Sequence, residues 1–298
     1  MRDDVDVVCL TWRESAAMMA GFHDALQACV GPDWGGTMLL VENAPPRTEI
    51  RALLSPYARP RVLPLGRNMG YARAMDLALD ALDGRYVALL NSDGRPAPGM
   101  LDTLAGVLDE HPDVLWAAPA VHGPGEQDEP PGEPYAEERI AGTAVLVRRE
   151  ALLELGAFDP LYFFYGEDDD ASDRARSAGW RLLRVPDAVY RHGKGGRSRR
   201  GAALREFLYA ATHQTLVLQR TPRRGDAWRR LLIGRPRALG QHAADPAGLL
   251  GIVAALLLLP LSALAAESRR RRPWDGARLR RWLGRHPAPA LELPRSPS

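Results

Sequence analysis

The residues best suited to chemistry in this sequence are carboxylates that follow apolar, strand-like runs. The run that begins at Tyr86 ends in the letters NSDG, so Asp93 comes where a buried strand should reach the edge of its sheet. Divalent cations that bridge diphosphates take one or two protein carboxylates and leave other positions to phosphate oxygens and water. Asp93, with Asn91 and Ser92 before it, is therefore a candidate metal and donor site. The same residue types also favour a simple turn.

A second acidic segment lies later in the chain, where the letters FFYG precede four acids at residues 167–170. Acids in the first turn of a helix are favoured by the helix macrodipole, so capping explains part of the cluster. Four acids exceed what capping needs. A carboxylate at a helix start beneath aromatic residues also makes a suitable general base, because partial desolvation raises its proton affinity.

A third segment, residues 190–198, interleaves glycines with basic residues. Such a segment offers backbone amides and cations that can approach a diphosphate closely. His192 could serve as a neutral metal ligand beside Asp93, although a histidine in a basic loop can also simply be solvated. The strand before it should end on the same side of the sheet as Asp93, which favours the metal-ligand interpretation.

Two earlier segments are candidates for holding a nucleoside. Thr11, Trp12 and Arg13 end the first apolar run, and Trp12 could stack on a base. Glu42 and Asn43 end the second run and could hydrogen-bond to a base or a ribose. Each of the two segments could equally be a strand-end cap.

A further donor contact could come from the start of a predicted helix. Gly70 permits a close backbone approach there, and Arg73 in the first turn could reach a phosphate. The alternative is a plain helix N-terminus.

The elements that must position these residues alternate along the chain. Strands are predicted at residues 5–11, 38–41, 61–65, 86–90, 114–118, 143–147 and 181–185, and helices at 14–29, 71–82, 100–110 and 168–178. This alternation predicts an α/β fold with a mostly parallel sheet flanked by helices, where ligands gather beyond the carboxyl ends of the strands. Residues 122–138, rich in proline, glycine and acids, are predicted to form a loop.

The composition is that of a globular protein with a distinct C-terminal part. The 298 residues carry a net charge of +2, which gives no indication of nucleic-acid binding, and two cysteines, which fit a reducing compartment without disulfides. From residue 220 onward, arginine clusters surround an apolar run. We therefore expect a catalytic domain at residues 1–220 and a basic, hydrophobic helical tail at 221–298.

The tail contains 20 uncharged residues at 247–266, enough to span about 30 Å of hydrocarbon. Arginines flank this run on both sides, and Pro260 interrupts it. We predict an interfacial or re-entrant element at the inner face of the cell membrane, with residues 278–285 on anionic headgroups. A helix packed on the catalytic domain or on a second copy, and a single span, are the alternatives.

Taken in order, these segments resemble family 2 of the inverting glycosyltransferases, especially its bacterial rhamnosyltransferase-like branch. The resemblance covers residues 5–215, and the Glu167-Asp168 context is its most specific part. The segments that carry it are Thr11-Trp12-Arg13, Val41-Glu42-Asn43, Asn68-Met69-Gly70-Tyr71-Ala72, Leu90-Asn91-Ser92-Asp93, Gly142 to Arg149, Gly156-Ala157-Phe158-Asp159, Tyr165-Gly166-Glu167-Asp168 and His192 to Ser198.

The resemblance implies a GT-A fold, a nucleotide-diphosphate sugar donor and a divalent metal, Mg²⁺ or Mn²⁺. Asp168 would be the general base that deprotonates the acceptor hydroxyl, with Glu167 and Tyr165 on the acceptor side. Asp93 and His192 would hold the metal against the donor diphosphate. The expected reaction is one in-line displacement, with inversion, that moves rhamnose or another hexose to a saccharide or a lipid-linked acceptor.

Four residues depart from the family pattern. Glu42 stands where the family has aspartate, Arg13 and Asp76 where it has asparagine, and Asp169 adds a third consecutive acid. Two other functions remain open: a sugar nucleotidyltransferase, whose usual glycine-rich, lysine-bearing loop is not seen near the first strand, and a non-catalytic sugar-nucleotide-binding protein. The acidic N-terminus lacks the order of a secretory signal, so we expect a cytoplasmic location, where activated sugars are made.

Overall fold

The computed structural model describes residues 3–123, 125–126, 130–193, 202–221, 225–231, 246–286 and 290–292. Its strands are β1 (Val5–Thr11), β2 (Thr37–Glu42), β3 (Arg59–Pro64), β4 (Tyr86–Asn91), β5 (Gly94–Pro96), β6 (Val114–His122), β7 (Tyr135–Ala136), β8 (Ala144–Arg148), β9 (Arg181–His192) and β10 (Leu291–Glu292). Its helices are α1 (Ala16–Val30), α2 (Thr48–Arg51), α3 (Tyr71–Asp80), α4 (Met100–Glu110), α5 (Arg149–Glu154), α6 (Glu167–Ser177), α7 (Ala202–Arg220), α8 (Pro246–Leu257), α9 (Leu259–Arg271) and α10 (Gly276–Leu283).

The strands form one mixed sheet in the order β10-β3-β2-β1-β4-β8-β6-β9-β5, with β7 paired to β9. The run from β3 to β4 is parallel, as expected for the half that follows strand-helix alternation. Beyond β4 the sheet changes, because β8 lies antiparallel between β4 and β6. The predicted α/β architecture is confirmed, with a parallel half and an antiparallel-containing half.

The core consists of two apolar layers, one on each face of the sheet. Successive side chains of β1 alternate between them: Val7 and Cys9 face one layer, and Val8 faces the other. All three are fully buried, and a fully buried aliphatic side chain contributes about 1.5–3 kcal/mol. The continuous apolar runs in the sequence therefore reflect strands that are covered on both faces.

The seven predicted strands and four predicted helices are all present, and β6 runs four residues past its predicted end, to His122. The strand predicted at 181–185 is wrong at its end: β9 continues to His192, because its second half pairs with β5 and, after a register shift, again with β6. The predicted loop at 122–138 contains β7, whose two residues pair with β9. Two- and three-residue strands are too short to show an alternating pattern.

The tail is helical, as predicted, and packs on α7. Gln214 of α7 donates to the carbonyl of Ala255 over 2.9 Å. Arg269 of α9 makes two bonds, of 2.5 and 2.7 Å, to the buried carboxylate of Asp159. One face of the tail is thus packed on the rest of the protein, while the boundary near residue 220 stays a prediction.

The apolar run of the tail is divided into α8 and α9, with Pro260 in the first turn of the second helix, where its missing N–H costs little. Within the part of the chain that the structure describes, no single helix has both the length and the apolar content needed to cross a membrane. Leu249–Leu257 and Leu259–Arg271 meet both criteria only together, as a pair bent by 61°.

The last described elements join the core and the sheet. Leu279 of α10 is fully buried in the second core layer, and β10 adds an antiparallel edge strand beside β3.

We expect Leu279→Ala to lower the free energy of unfolding by about 2–5 kcal/mol, because it leaves a cavity. Urea unfolding measures this, with Arg280→Ala as the control on an exposed position of the same helix. An effect no larger than that of the control would contradict the packing of α10.

Candidate active site

The best-defined polar pair lies where the end of β9 pairs with the start of β5, just after β4. Gly94 pairs directly with His192, so the side chains of Asp93 and His192 come together. His192 Nε2 lies 3.0 Å from Asp93 Oδ1, and the Gly193 N–H donates to the Asp93 carbonyl over 2.7 Å. The sequence predicted this pair, although it placed His192 in a loop rather than at the end of a strand.

The turn that carries Asp93 is held by a close packing contact. A Cβ added at Gly94 would overlap the ring of Tyr190, so only glycine fits there. The Tyr190 hydroxyl donates to the carbonyl of Asn91. Backbone and ring together therefore fix the position of the Asp93 carboxylate relative to His192.

The geometry of this pair fits a divalent cation. Neighbouring ligands at about 2.1 Å in an octahedral site are about 3 Å apart, which matches the separation of the two side chains. Both side chains are partly exposed, which leaves room for other ligands. Among the described residues no cluster of three or more His, Cys, Asp or Glu side chains could hold a metal, so phosphate oxygens and water would have to complete the coordination.

Asp168 lies in the first turn of α6 and is oriented by two backbone donors. The Gly142 N–H donates to Oδ2 over 2.9 Å and the Asp169 N–H to Oδ1 over 2.8 Å. Thr143, next to Gly142, accepts a bond of 3.0 Å from the N–H of Asn91. The residues just before β8 therefore connect the Asp168 carboxylate to the turn that holds Asp93.

The chain enters α6 through a tight left-handed turn. Tyr165 has φ of 70° and Gly166 has φ of 83°, and such a conformation is uncommon for a residue with a side chain. A Cβ at Gly166 would overlap Thr212 and approach Leu216 of α7, so α7 packs directly behind this turn. The packing between Gly166 and α7 holds Tyr165 in its strained conformation and fixes the start of α6.

Glu167 differs from Asp168 in being almost completely buried. Its carboxyl atom Oε2 has no hydrogen-bond partner in the structure. Burial, with a smaller contribution from the charge on Asp168, raises the pKa of Glu167 to about 8. A buried carboxyl that stays protonated at neutral pH is placed to support the first turn of α6. The expected contact of Glu167 with the acceptor stays a prediction.

This raised pKa makes stability depend on pH. Between about 4.5 and about 8 the unfolded chain has lost the Glu167 proton that the folded chain retains, so the free energy of unfolding should fall as pH rises through that window. Glu167→Gln should remove this slope. The free energy of unfolding of the variant should therefore increase relative to that of the native protein as the pH rises to about 8. Urea unfolding between about pH 5 and 9 tests it, with exposed Glu150→Gln as control. Equal slopes in the native and Gln proteins would contradict the assignment.

Two of the predicted nucleoside residues, Trp12 and Arg13, line a cavity of about 470 Å³ beside the ends of β1 and β2. Trp12 is exposed at its edge, and the Arg13 guanidinium lies 4.9 Å from the Trp12 ring centroid. Thr11 lies behind it and donates to Glu14, which also accepts the N–H of Trp12. The remaining lining comes from Glu14, Ser15 and residues 44–47, so the segments that follow two strands meet around one space.

Glu42 and Asn43 are bound within the protein rather than directed into that cavity. Glu42 accepts two bonds from Arg51, at 2.9 and 2.6 Å, and is buried. Asn43 accepts from the N–H of Met69 and donates to Asn68, so it holds the loop before α3. Their predicted contact with the nucleoside therefore lacks support in this geometry and stays a prediction.

Gly70 and Arg73 occupy the N-terminal end of α3. Gly70 has φ of 82°, and a Cβ there would overlap the carbonyl of Phe163, so its close approach serves the aromatic segment before α6. Arg73 is exposed in the first turn. Residues 194–198 of the predicted basic, glycine-rich site lie outside the described residues.

Several residues that shape the site were missed by the sequence analysis. Arg51, Tyr190 and α7 act through contacts with residues at least nine positions away in sequence. The glycine at 142 lies in a segment that carried the family resemblance, which was the available signal for its role. Nothing in the sequence pairs Tyr190 with Gly94.

Comparison with known proteins agrees with this geometry. Residues 37–158 match the model of glycosyl transferase family 2. An N-acetylglucosaminyl-diphospho-decaprenol L-rhamnosyltransferase of Mycobacterium tuberculosis (strain ATCC 25618 / H37Rv) is 28% identical over 239 residues, covering 65% of this chain and 77% of the relative.

Solved structures show the same fold at low identity. The mannosyltransferase PcManGT from Pyrobaculum calidifontis, in complex with GDP-Man and Mn²⁺, has a TM-score of 0.60 at 17% identity, covering 91% of this chain and 88% of that one. GalNAc-T7 with UDP, GalNAc and Mn²⁺ has a TM-score of 0.57 at 17% identity and covers 70% of this chain, which spans 50% of GalNAc-T7.

The sheet and the structural matches show the GT-A fold, and residues 37–158 are similar to family 2 glycosyltransferase domains. Beyond the fold, the chain is similar to an L-rhamnosyltransferase of Mycobacterium tuberculosis.

Proposed function

We propose that this protein transfers a sugar, with inversion, from a nucleotide-diphosphate donor to a hydroxyl of a saccharide or lipid-linked acceptor. The observation that carries the proposal is the connection through the start of β8: the Gly142 N–H binds Asp168, and the adjacent Thr143 carbonyl binds the Asn91 N–H two residues before Asp93. A base and a diphosphate-binding carboxylate are thereby fixed relative to each other.

In this mechanism Asp168 accepts the proton of the acceptor hydroxyl while that oxygen forms a bond to the anomeric carbon. The bond to the nucleoside diphosphate breaks, and the leaving group departs with its electron pair. A divalent cation at Asp93 and His192, when bound, would offset charge on that leaving group. The two backbone donors hold the Asp168 carboxylate in one orientation, and the cavity edged by Trp12 receives the nucleoside.

The sugar and the acceptor are proposed from the most informative relative. Its name specifies transfer of L-rhamnose to an N-acetylglucosaminyl-diphospho-decaprenol. We extend the class to this chain: rhamnose or another hexose as the transferred sugar, and a saccharide carried on a polyprenyl diphosphate as the acceptor. Mn²⁺ in both named structural neighbours supports a divalent cation, Mg²⁺ or Mn²⁺.

A donor screen tests this proposal. Purified protein is incubated with UDP-, GDP- and dTDP-linked sugars and Mn²⁺, Mg²⁺ or a chelator, and donor hydrolysis and transfer to polyprenyl-diphosphate-linked N-acetylglucosamine are measured. Metal-dependent turnover of one donor supports the transferase. Release of pyrophosphate from a nucleoside triphosphate and a sugar 1-phosphate would indicate a nucleotidyltransferase instead. Donor binding without turnover, acceptor present, would indicate a non-catalytic sugar-nucleotide-binding protein.

The tail supports a location at the inner face of the cell membrane. Five large apolar side chains of α8 and α9 are exposed, including Leu257 at 77% and Leu261 at 58%. Exposed arginines follow at Arg272, Arg280 and Arg281, where they can meet anionic headgroups. An apolar face next to a cationic one is typical of helices that lie in the membrane interface.

Vesicle flotation tests this location. We expect the native protein to float with vesicles that contain anionic lipid, and the double variant Leu257→Glu/Leu261→Glu to lose at least about 10-fold in binding, because each charge must enter the apolar region. Leu291→Glu is the matched control, since Leu291 is exposed on β10 at the edge of the sheet rather than on α8 or α9. Equal flotation of all three proteins would rule out this use of the tail.

A further inference from the structure

A group of aromatic rings from two elements flanks the first turn of α6. Phe164 and Tyr165 precede Asp168, and Tyr209 and His213 project from α7. The ring centroids of Phe164 and Tyr165 are 4.2 Å apart, those of Tyr165 and Tyr209 are 5.9 Å apart, and those of Tyr209 and His213 are 6.4 Å apart. The rings therefore form one continuous aromatic surface.

This aromatic surface is exposed to solvent, although its side chains are large. Tyr209 is 56% exposed and Phe164 is 38% exposed. Contiguous apolar surface of this kind costs free energy in water and marks a binding site more often than a random feature. The strained φ of Tyr165, 70°, adds a second sign, because strained residues persist where a ligand site needs them.

The packing behind Gly166 fixes the surface next to the base. Thr212 and Leu216 of α7 fill the space where a Gly166 side chain would lie. Tyr209 precedes Thr212 by three residues, about 4.5 Å along the helix axis. The aromatic surface and the Asp168 carboxylate therefore belong to one packed arrangement around the start of α6.

We propose that Phe164, Tyr165 and Tyr209 form a stacking platform for a pyranose ring of the acceptor, and that Tyr209 binds this ring. This proposal rests on the proposed function. The C–H face of a pyranose is apolar and packs on the negative face of an aromatic ring. The Tyr209 hydroxyl and the His213 imidazole supply polar groups at the edge, which suit sugar hydroxyls better than a hydrocarbon chain.

The experiment compares acceptor binding by three variants with simple glycosides as probes. With the donor found in the screen, the KM for methyl β-N-acetylglucosaminide should rise about 10-fold in Tyr209→Ala, the most that a stacking contact usually contributes. Tyr209→Phe should restore a KM within about 3-fold of the native value. Donor hydrolysis in water should be unchanged in both, which also shows that the variants are folded. Leu204→Ala, exposed on the same helix, is the matched control.

Three results would overturn the platform. An unchanged KM for the methyl glycoside in Tyr209→Ala would exclude stacking, as would an effect confined to octyl β-N-acetylglucosaminide, because that would assign Tyr209 to the hydrocarbon chain. Donor hydrolysis lost together with acceptor affinity would assign Tyr209 a structural role. Failure of the proposed function is distinct from all of these, since the native protein itself would then turn over no donor.

Discussion

Replacing Asp168 with asparagine is expected to abolish sugar transfer while donor binding persists. The amide has nearly the shape of the carboxylate and can still accept the Gly142 N–H, so the first turn of α6 should remain in place. It cannot accept the proton of an acceptor hydroxyl. Loss of a general base typically costs about 10²–10⁴-fold in rate, and we expect transfer by Asp168→Asn to fall by that amount.

The measurement is a steady-state transfer rate beside donor affinity determined by calorimetry. Asp169→Asn is the matched control, since Asp169 is the next acid along the helix and its partly exposed carboxylate lies 3.8 Å from Arg139. The control should keep the rate within a few-fold of the native value. Transfer by Asp168→Asn at the native rate would remove Asp168 from the mechanism and direct attention to another acid of α6.

The second large effect is expected for Asp93→Ala. This change removes one of the two side chains that converge at 3.0 Å, and with it the protein carboxylate that would hold a cation at the donor diphosphate. Stabilisation of a leaving group by a metal contributes several kcal/mol, so transfer should fall on the order of 100-fold or more. The donor KM should rise, and the remaining rate should no longer respond to added Mn²⁺.

Metal binding gives a readout that does not depend on turnover. Mn²⁺ titrated into protein with a nucleoside diphosphate enhances the relaxation of water protons when it binds, and this signal should be lost in Asp93→Ala and weakened in His192→Ala. Asp102→Ala is the control, because Asp102 is an exposed carboxylate in the first turn of α4. Undiminished Mn²⁺ binding in Asp93→Ala would place the cation elsewhere.

The helical tail shows how a correct local prediction can leave the environment open. Pro260 indicated a break in the apolar run, and the structure has two helices that meet there at 61°. The sequence could not show that Gln214 binds the backbone of α8 or that Arg269 binds Asp159, because both contacts join residues at least 41 positions apart. The tail therefore has one face packed on the protein and one exposed face.

The nucleoside site shows the opposite case, in which residue types indicated a role that tertiary contacts changed. Glu42 ends a strand beside the cavity, as predicted from its position. Its carboxylate is nevertheless occupied by Arg51, a residue of a short helix that the sequence pattern did not reveal. The position at a strand end determines where the Glu42 side chain leaves the backbone. The partner of its carboxylate depends on which residue from elsewhere in the sequence packs beside it.

The sequence by itself determined the order of strands and helices, the motifs that carry Asp93, His192 and Asp168, and their resemblance to family 2 of the glycosyltransferases. These features depend on local periodicity and on short motifs, which are read along the chain. Only the tertiary structure decided that His192 ends a strand opposite Gly94, that Glu167 is buried while its neighbour Asp168 is held by Gly142, and that α7 places Tyr209 beside Tyr165. Those arrangements come from pairing and packing between distant segments, which periodicity does not record.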